Sequence, residues 1–246
     1  IQVSCGASHI LAVTNEHEVF AWGRGDNGRL GLGSYEPTNA PKPVAVPENS
    51  HPCSVHCGMD CSVILTLEGW LLCSGSNRFN KLGLDKITPD GDISHLTEEV
   101  EVFTSIISAP INTVHIKMVA LGTSHSAIVT DKGECYTFGS NQFGQLGIEG
   151  SVGNRHPVLV TSLQNKVITM LSCGDTFTVA VSQDNDVFTW GKSSRGRLGR
   201  SIEFSHLPTL VALPKDEDQF SVVSLSSSHS STVIATQPIN RSSSPM

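Results

Sequence analysis

Cys5-Gly-Ala-Ser-His-Ile10-Leu-Ala-Val-Thr-Asn15-Glu-His-Glu-Val-Phe20-Ala-Trp-Gly-Arg-Gly25-Asp-Asn-Gly-Arg-Leu30-Gly31 is the stretch that decides the fold, because its skeleton returns in strict register. Gly6 is followed seventeen positions later by Gly23, and five positions after that by Gly28-Arg29-Leu30-Gly31. The same spacing gives Gly58, Gly75 and Asn80-Lys81-Leu82-Gly83, then Gly122, Gly139 and Gly144-Gln145-Leu146-Gly147, then Gly174, Gly191 and Gly196-Arg197-Leu198-Gly199. The residues before the first glycines (Cys5, Cys57, Leu121, Cys173) and a fifth, partial copy at Leu225 stand 52, 64, 52 and 52 apart. A fixed period of this size means stacked supersecondary units, each unable to bury its apolar face alone.

Within a unit, short apolar runs alternate with turn chemistry. Ile10–Thr14 and Val19–Trp22 flank Asn15-Glu-His-Glu18, and the later copies place Leu67-Glu-Gly69, Asp131-Lys-Gly133 and Gln183-Asp-Asn185 between equivalent runs. Two β-rich runs around such a turn form a hairpin. A proline then introduces a further run in Pro43–Val46, Pro157–Val160 and Pro208–Val211, and the run into the next anchor completes about four strands per period of ~50 residues, a blade-like all-β unit. Asn80 stands where the other copies have glycine, and asparagine visits left-handed backbone readily. The excess length between the second and third copies falls in residues 85–110, expected to be an exposed loop insertion with limited order.

The net charge of −7 disfavours nucleic acid, which needs clustered positive charge, and no long apolar segment points to a membrane. Seven cysteines, three of them at one repeat position (Cys5, Cys57, Cys173), read as small core residues in a reducing, cytoplasmic setting, with the nucleus as the alternative. The chain starts at Ile1 inside a repeat and is expected to be part of a longer protein.

Several short motifs yield to the repeat. Gly23-Arg-Gly25-Asp-Asn-Gly28 matches the dinucleotide fingerprint, but its flanks are β and Gly25 is absent from the other copies, so no cofactor is expected. His51, Cys53, His56, Cys57 and Cys61 have metal-ligand chemistry, but Cys57 is a repeat anchor and Cys61 takes the place of the repeat histidine, so no metal is expected there. His9, His125 and His229 sit at one repeat position, one to a blade, which is the pattern of a structural hydrogen bond and leaves no catalytic group to name. Kinase signatures are absent from the chain. Arg29, Lys81, Gln145 and Arg197 share the variable position of Gly-x-Leu-Gly, either tying blade to blade or forming a basic rim for acidic partners. Asp60 and Asp175 are read as matching positions after their anchor glycines, at the loop end of the ring, or as turn-forming aspartates.

The histidines before the apolar runs, Trp22-Gly23, Phe138-Gly139 and Trp190-Gly191 at the hairpin ends, and the Gly-Gln-Leu-Gly type loops resemble the regulator of chromosome condensation repeat. The resemblance covers residues 1–236 and implies a seven-bladed β-propeller, of which this chain holds about four and a half repeats. Glu18–Gly23 and Asn77–Leu84 are similar to the C-terminal propeller region of NIMA-related mitotic Ser/Thr kinases. That implies a non-catalytic propeller that restrains a linked kinase domain and binds protein partners such as a Ran-type small GTPase. The founding member's guanine-nucleotide exchange is the alternative, although residues 85–110 show no clear hairpin to serve as its inserted wedge. Residues 237–246 are too poor in apolar groups to fold and are expected to be a disordered tail, with Ser244-Pro245 a candidate phosphosite.

Overall fold

A computed structural model describes residues 1–87, 92–150, 156–201, 204–213 and 220–238. Each repeat folds as an antiparallel sheet. The first contains β1 (Gln2–Cys5), β2 (His9–Val13), β3 (Val19–Gly23) and β4 (Thr38–Pro43). The second contains β5 (Pro52–Cys57), β6 (Cys61–Thr66) and β7 (Leu71–Ser76), followed by a small hairpin of β8 (Lys86–Ile87) and β9 (Ile93–His95), and then by its fourth strand, β10 (Glu99–Ser105). The third has β11 (Ile116–Leu121), β12 (His125–Thr130), β13 (Cys135–Gly139) and β14 (Val158–Leu159). The fourth has β15 (Ile168–Cys173), β16 (Phe177–Ser182), β17 (Val187–Lys192) and β18 (Phe204–Leu210). A two-stranded sheet of β19 (Phe220–Ser228) and β20 (Ser231–Pro238) follows. Innermost strands of successive sheets touch, β1 with β5, β5 with β11, β11 with β15 and β15 with β19, as in a partial propeller.

Burial explains the composition of the strands. β6, β12 and β16 are buried at every residue, because a blade lies against each face of their sheets. β2 alternates between buried and half-buried, with a blade on one side only. The core therefore consists of layers between blades. Leu11, Val13 and Leu30 meet Val55, Ile64 and Phe103 in the first, while Val63, Cys73 and Leu82 meet Ile116, Ile128 and Phe138 in the second. Val129 and Val160 meet Ala180 and Trp190 in the third, and Phe177, Val179 and Leu198 reach Val222 in the fourth. Burying a side chain of this size is worth about 1.5–3 kcal/mol, so neighbouring blades hold one another in place.

Four expectations change. First, the described residues of the 85–110 insertion form strands rather than a loose loop: β10 pairs with β7, and β8 pairs with β9 before it. The insertion is tied to the blade through buried Asn77, whose amide donates to Asp85 Oδ1 (3.2 Å) and to the Thr97 carbonyl (2.8 Å). Second, the outer strand of the first blade lies at Thr38–Pro43 rather than Pro43–Val46, its prolines tolerated because it is an edge strand. β14 and β18 overlap the expected runs. Third, Cys5 is exposed and Cys57 half-buried, whereas Cys173 is buried as expected. Fourth, the partial fifth copy forms two strands and does not keep the register expected at Leu225. β19 runs past Leu225 to Ser228, and His229 lies exposed in a tight turn with φ 48°, not behind the anchor like His9 and His125. β20 also reaches Pro238, so Gln237 and Pro238 belong to the sheet; Ser244 lies outside the described residues.

Candidate partner-binding face

The turns joining the first and second strand of each blade gather at one end of the propeller. Their glycines (Gly6, Gly58, Gly122, Gly174), with Met59, Thr123, Asp175 and His229, line a concave mouth of about 610 Å³. Met59 and Ala7 present exposed side chains there.

The mouth is held by a repeated staple. The variable residue of Gly-x-Leu-Gly donates to the residue two places after the anchor glycine in its own blade. Arg29 Nη1 reaches Ser8 Oγ at 3.0 Å, Lys81 Nζ reaches Asp60, Gln145 Nε2 reaches Ser124 Oγ at 3.4 Å, and Arg197 Nη1 reaches Thr176 Oγ1 at 3.2 Å. The longer side chains also cross into the next blade: Arg29 Nη1 donates to the Met59 carbonyl (3.2 Å) and Lys81 Nζ to the Thr123 carbonyl (3.0 Å). The backbone returns the contact. Ser62 Oγ donates to the Arg29 carbonyl and Ser126 Oγ to the Lys81 carbonyl, both at 2.6 Å, while Thr178 Oγ1 and Trp190 Nε1 donate to the Gln145 carbonyl, both at 2.9 Å.

Arg29, Lys81, Gln145 and Arg197 are therefore 9, 1, 0 and 9 % exposed. They tie the mouth together from behind and present no open basic rim. A cation in this position needs satisfied partners, and Lys81 has both a carboxylate and a carbonyl. Burial lowers the Arg197 pKa, with the Asp175 carboxylate opposing that shift.

Asp60 and Asp175 do not match. Asp60 stands two residues after its glycine and takes the staple lysine, whereas Asp175 stands one residue after, where the other blades have Met59 and Thr123. Asp175 instead accepts from Thr123 Oγ1 at 3.0 Å and donates its backbone N–H to the His229 carbonyl at 3.0 Å, linking three consecutive blades. The role of Thr123 has no signal in the sequence.

Behind the mouth, His9 Nε2 meets Ser62 Oγ and His125 Nε2 meets Thr178 Oγ1, each at 2.9 Å across a blade junction. Burial pushes their pKa values down, to about 4 for His9 and about 3 for His125, so both rings are neutral parts of the wall. Cys61 and Phe177 fill the same position in the second and fourth blades, fully buried. Burial also raises the Cys57 thiol to about 12, which keeps it protonated and unreactive. Gly23–Gly28, the apparent dinucleotide motif, leads from β3 through a 3-10 turn toward antiparallel β4 and opens no βαβ unit.

A model of the RCC1-like domain matches residues 1–235, nearly the whole chain. The chain belongs to the RCC1-like domain family. As an RCC1-like domain it is 48 % identical over 240 residues to the serine/threonine-protein kinase Nek8 of Danio rerio, covering 97 % of this chain and 34 % of that protein. It is 40 % identical over 201 residues to Nek9 of Mus musculus, covering 80 % of this chain and 20 % of that protein. The chain thus spans about a third or less of these kinases. Among solved structures, human WBSCR16 superposes with a TM-score of 0.81 at 22 % identity, over 96 % of this chain and 57 % of that one. Prp20p of Saccharomyces cerevisiae gives 0.77 at 21 % identity, over 98 % and 56 %. At these identities the structural likeness establishes the fold.

Proposed function

We propose that this RCC1-like domain is a non-catalytic interaction and regulatory propeller of a NIMA-related Ser/Thr kinase, acting in the cytoplasm, with the nucleus as the alternative, during the cell cycle. In this reading the mouth docks a protein partner and the domain controls the linked kinase. The observation that carries it is the 48 % identity to Nek8 across 97 % of the chain, a range that includes every blade lining the mouth. The mouth suits a protein partner: it is about 610 Å³ and lined mostly by small residues, with Met59, Asp175 and His229 among them.

We include a Ran-type GTPase among the protein partners of this reading. The Prp20p structure is described together with that protein's binding properties to Gsp1p and histones. A second reading, nucleotide exchange on such a GTPase, draws support from the β8–β9 hairpin, an insertion from the blade of the kind that could engage a bound protein.

The test uses the full-length protein, native and with Ala7→Arg and Met59→Arg, two exposed mouth positions that leave every staple intact. Capture of the GTPase in its GDP and GTP states and phosphorylation of a model substrate are measured in parallel. At least tenfold loss of capture together with altered kinase activity is expected. Unchanged capture and unchanged activity would refute the docking role. GTPase-dependent acceleration of labelled GDP release would favour the exchange reading.

A further inference from the structure

At the end of the blades opposite the mouth, the β2–β3 hairpin carries His17 with φ 64°. Its register is set by a backbone bond from His17 N to the Thr14 carbonyl, matched by Gly69 to Thr66, Gly133 to Thr130 and Asn185 to Ser182. The other three hairpins therefore place Gly, Gly and Asn, the residues that accept positive φ most easily, where the first places histidine. Histidine visits this region more readily than most side chains, but the sister hairpins show that the turn itself does not require it.

Its counterpart lies across the junction. The loop entering each following blade brings one residue against this hairpin position. That residue is His51, His115 or Val167, identified by carbonyls that accept from Leu67 N, Asp131 N and Gln183 N. The His115 ring lies over Gly69, and Val167 lies over Gly133. At the first junction alone, among the described residues, both positions are histidine, and the two rings stand 5.6 Å apart between centroids.

In both rings one nitrogen is committed to a neighbouring oxygen, and the rings meet edge to face at 81°. His17 Nδ1 is 2.8 Å from the Pro52 carbonyl, which can only accept, so this nitrogen carries the proton and Nε2 keeps its lone pair. His51 Nδ1 donates to Glu68 Oε1 at 2.5 Å, so Nε2 is again the nitrogen not committed to this contact. A carbonyl or carboxylate behind Nδ1 is the arrangement that fixes the tautomer of a metal-binding histidine and strengthens it as a ligand. Metal–nitrogen bonds of ~2.0–2.1 Å at a near-tetrahedral angle place two imidazole centres roughly 5–6 Å apart.

We propose that His17 and His51 form a two-imidazole site for a borderline transition-metal dication, Zn²⁺ in the first instance, which links the first and second blades at their hairpin end. Water completes the coordination shell. No group of three or more His, Cys, Asp or Glu side chains is placed to hold an ion among the described residues. Glu68 stands behind His51 rather than on the ion, and the Cys53 thiol is turned to the Leu65 carbonyl at 3.4 Å. The site is distinct from the His51–Cys61 motif of the sequence, since Cys61 is buried in the interblade core.

The experiment titrates Zn²⁺ against a chromophoric chelator in the full-length protein, on a Cys5→Ser, Cys53→Ser background that removes the exposed thiols. His17→Gly installs the residue that two sister hairpins use, so it should fold at least as well as the parent without metal. With His51→Gln, it should weaken Zn²⁺ binding at least tenfold at one equivalent. His115→Gln should leave binding unchanged. Zn²⁺ should raise the unfolding temperature of the parent and of His115→Gln, and should not raise that of His17→Gly. Retained affinity in His17→Gly and His51→Gln, or loss of the equivalent on removing the two thiols alone, overturns the proposal.

Discussion

Replacing Gly139 by alanine should cost far more than the same change at Gly196, although both are glycines of the repeat skeleton with positive φ. Gly139 closes β13 at φ +111°, beyond the left-handed region that L-residues visit, and a Cβ there would lie 2.6 Å from the Ser124 carbonyl oxygen and 2.7 Å from His125 Cα. Both neighbours are backbone and cannot swing away. The dihedral contributes about 1–3 kcal/mol and the forced movement of β12 a further ~1–3, so the loss is about 2–6 kcal/mol. Gly196 has φ +72° with nothing within 4 Å of its Cβ. There the left-handed penalty of roughly 1–2 kcal/mol is partly offset by ~0.4–1 kcal/mol from a stiffer unfolded chain, leaving about 1 kcal/mol or less. Taken at mid-range, about 4 against about 1 kcal/mol, the gap is about 3 kcal/mol, a factor of roughly 150 in the unfolding constant, since ~1.4 kcal/mol is tenfold. Urea unfolding of the full-length protein, followed by fluorescence of Trp190 in the adjoining blade, reads it. With an m-value near ~3 kcal/mol/M, Gly139→Ala should move the midpoint down by about 1 M and Gly196→Ala by about 0.3 M or less. Equal small shifts would show that β12 does not approach β13 as described.

Asn80→Gly should destabilise by about 1–3 kcal/mol in thermal unfolding even though its sister positions are glycine. Asn80 is fully buried, and its Oδ1 accepts from the Asp85 N–H at 2.9 Å, a donor the change would leave without that acceptor. Lys81→Met should cost about 2–3 kcal/mol and speed amide exchange at the junction of the second and third blades, because Asp60 and the Thr123 carbonyl lose their shared cation. The protein should also lose stability in mild acid. His9 and His125 have folded pKa values pushed below 6.5, so the unfolded chain takes up protons first, and the stability present above about pH 6.5 is lost as pH falls toward 4. Each contributes roughly 2 kcal/mol between pH 7 and pH 5, and unfolding midpoints that do not change over that range would contradict their neutral burial.

The parts of this fold legible in the sequence are those a glycine fixes. Four blades follow from the glycine register, because each such residue marks a backbone position and backbone positions repeat. The fifth copy was misaligned for the same reason: Leu225 has the right spacing, but Ser226 follows it where the other anchors have glycine, so nothing breaks β19 and the strand runs on to Ser228. β10 was readable in the alternation Glu99-Val-Glu-Val-Phe103, yet it lacks the proline that marked the other outer strands. The staple residues were legible as equivalent and illegible as buried, since charge alone cannot separate a cation facing solvent from one facing a neighbour's carbonyl. Arg29 and Lys81 are decided by Met59 and Thr123, residues of the next blade that carry no charge at all. His17 and His51 are a further step removed. His17 departs from the Gly, Gly and Asn of its sister hairpins, and the pair exists only because one blade's hairpin lies against the next blade's entry. In a repeat fold the period gives what each unit does for itself. What two units do together is set at the seams, where residues of neighbouring blades face one another.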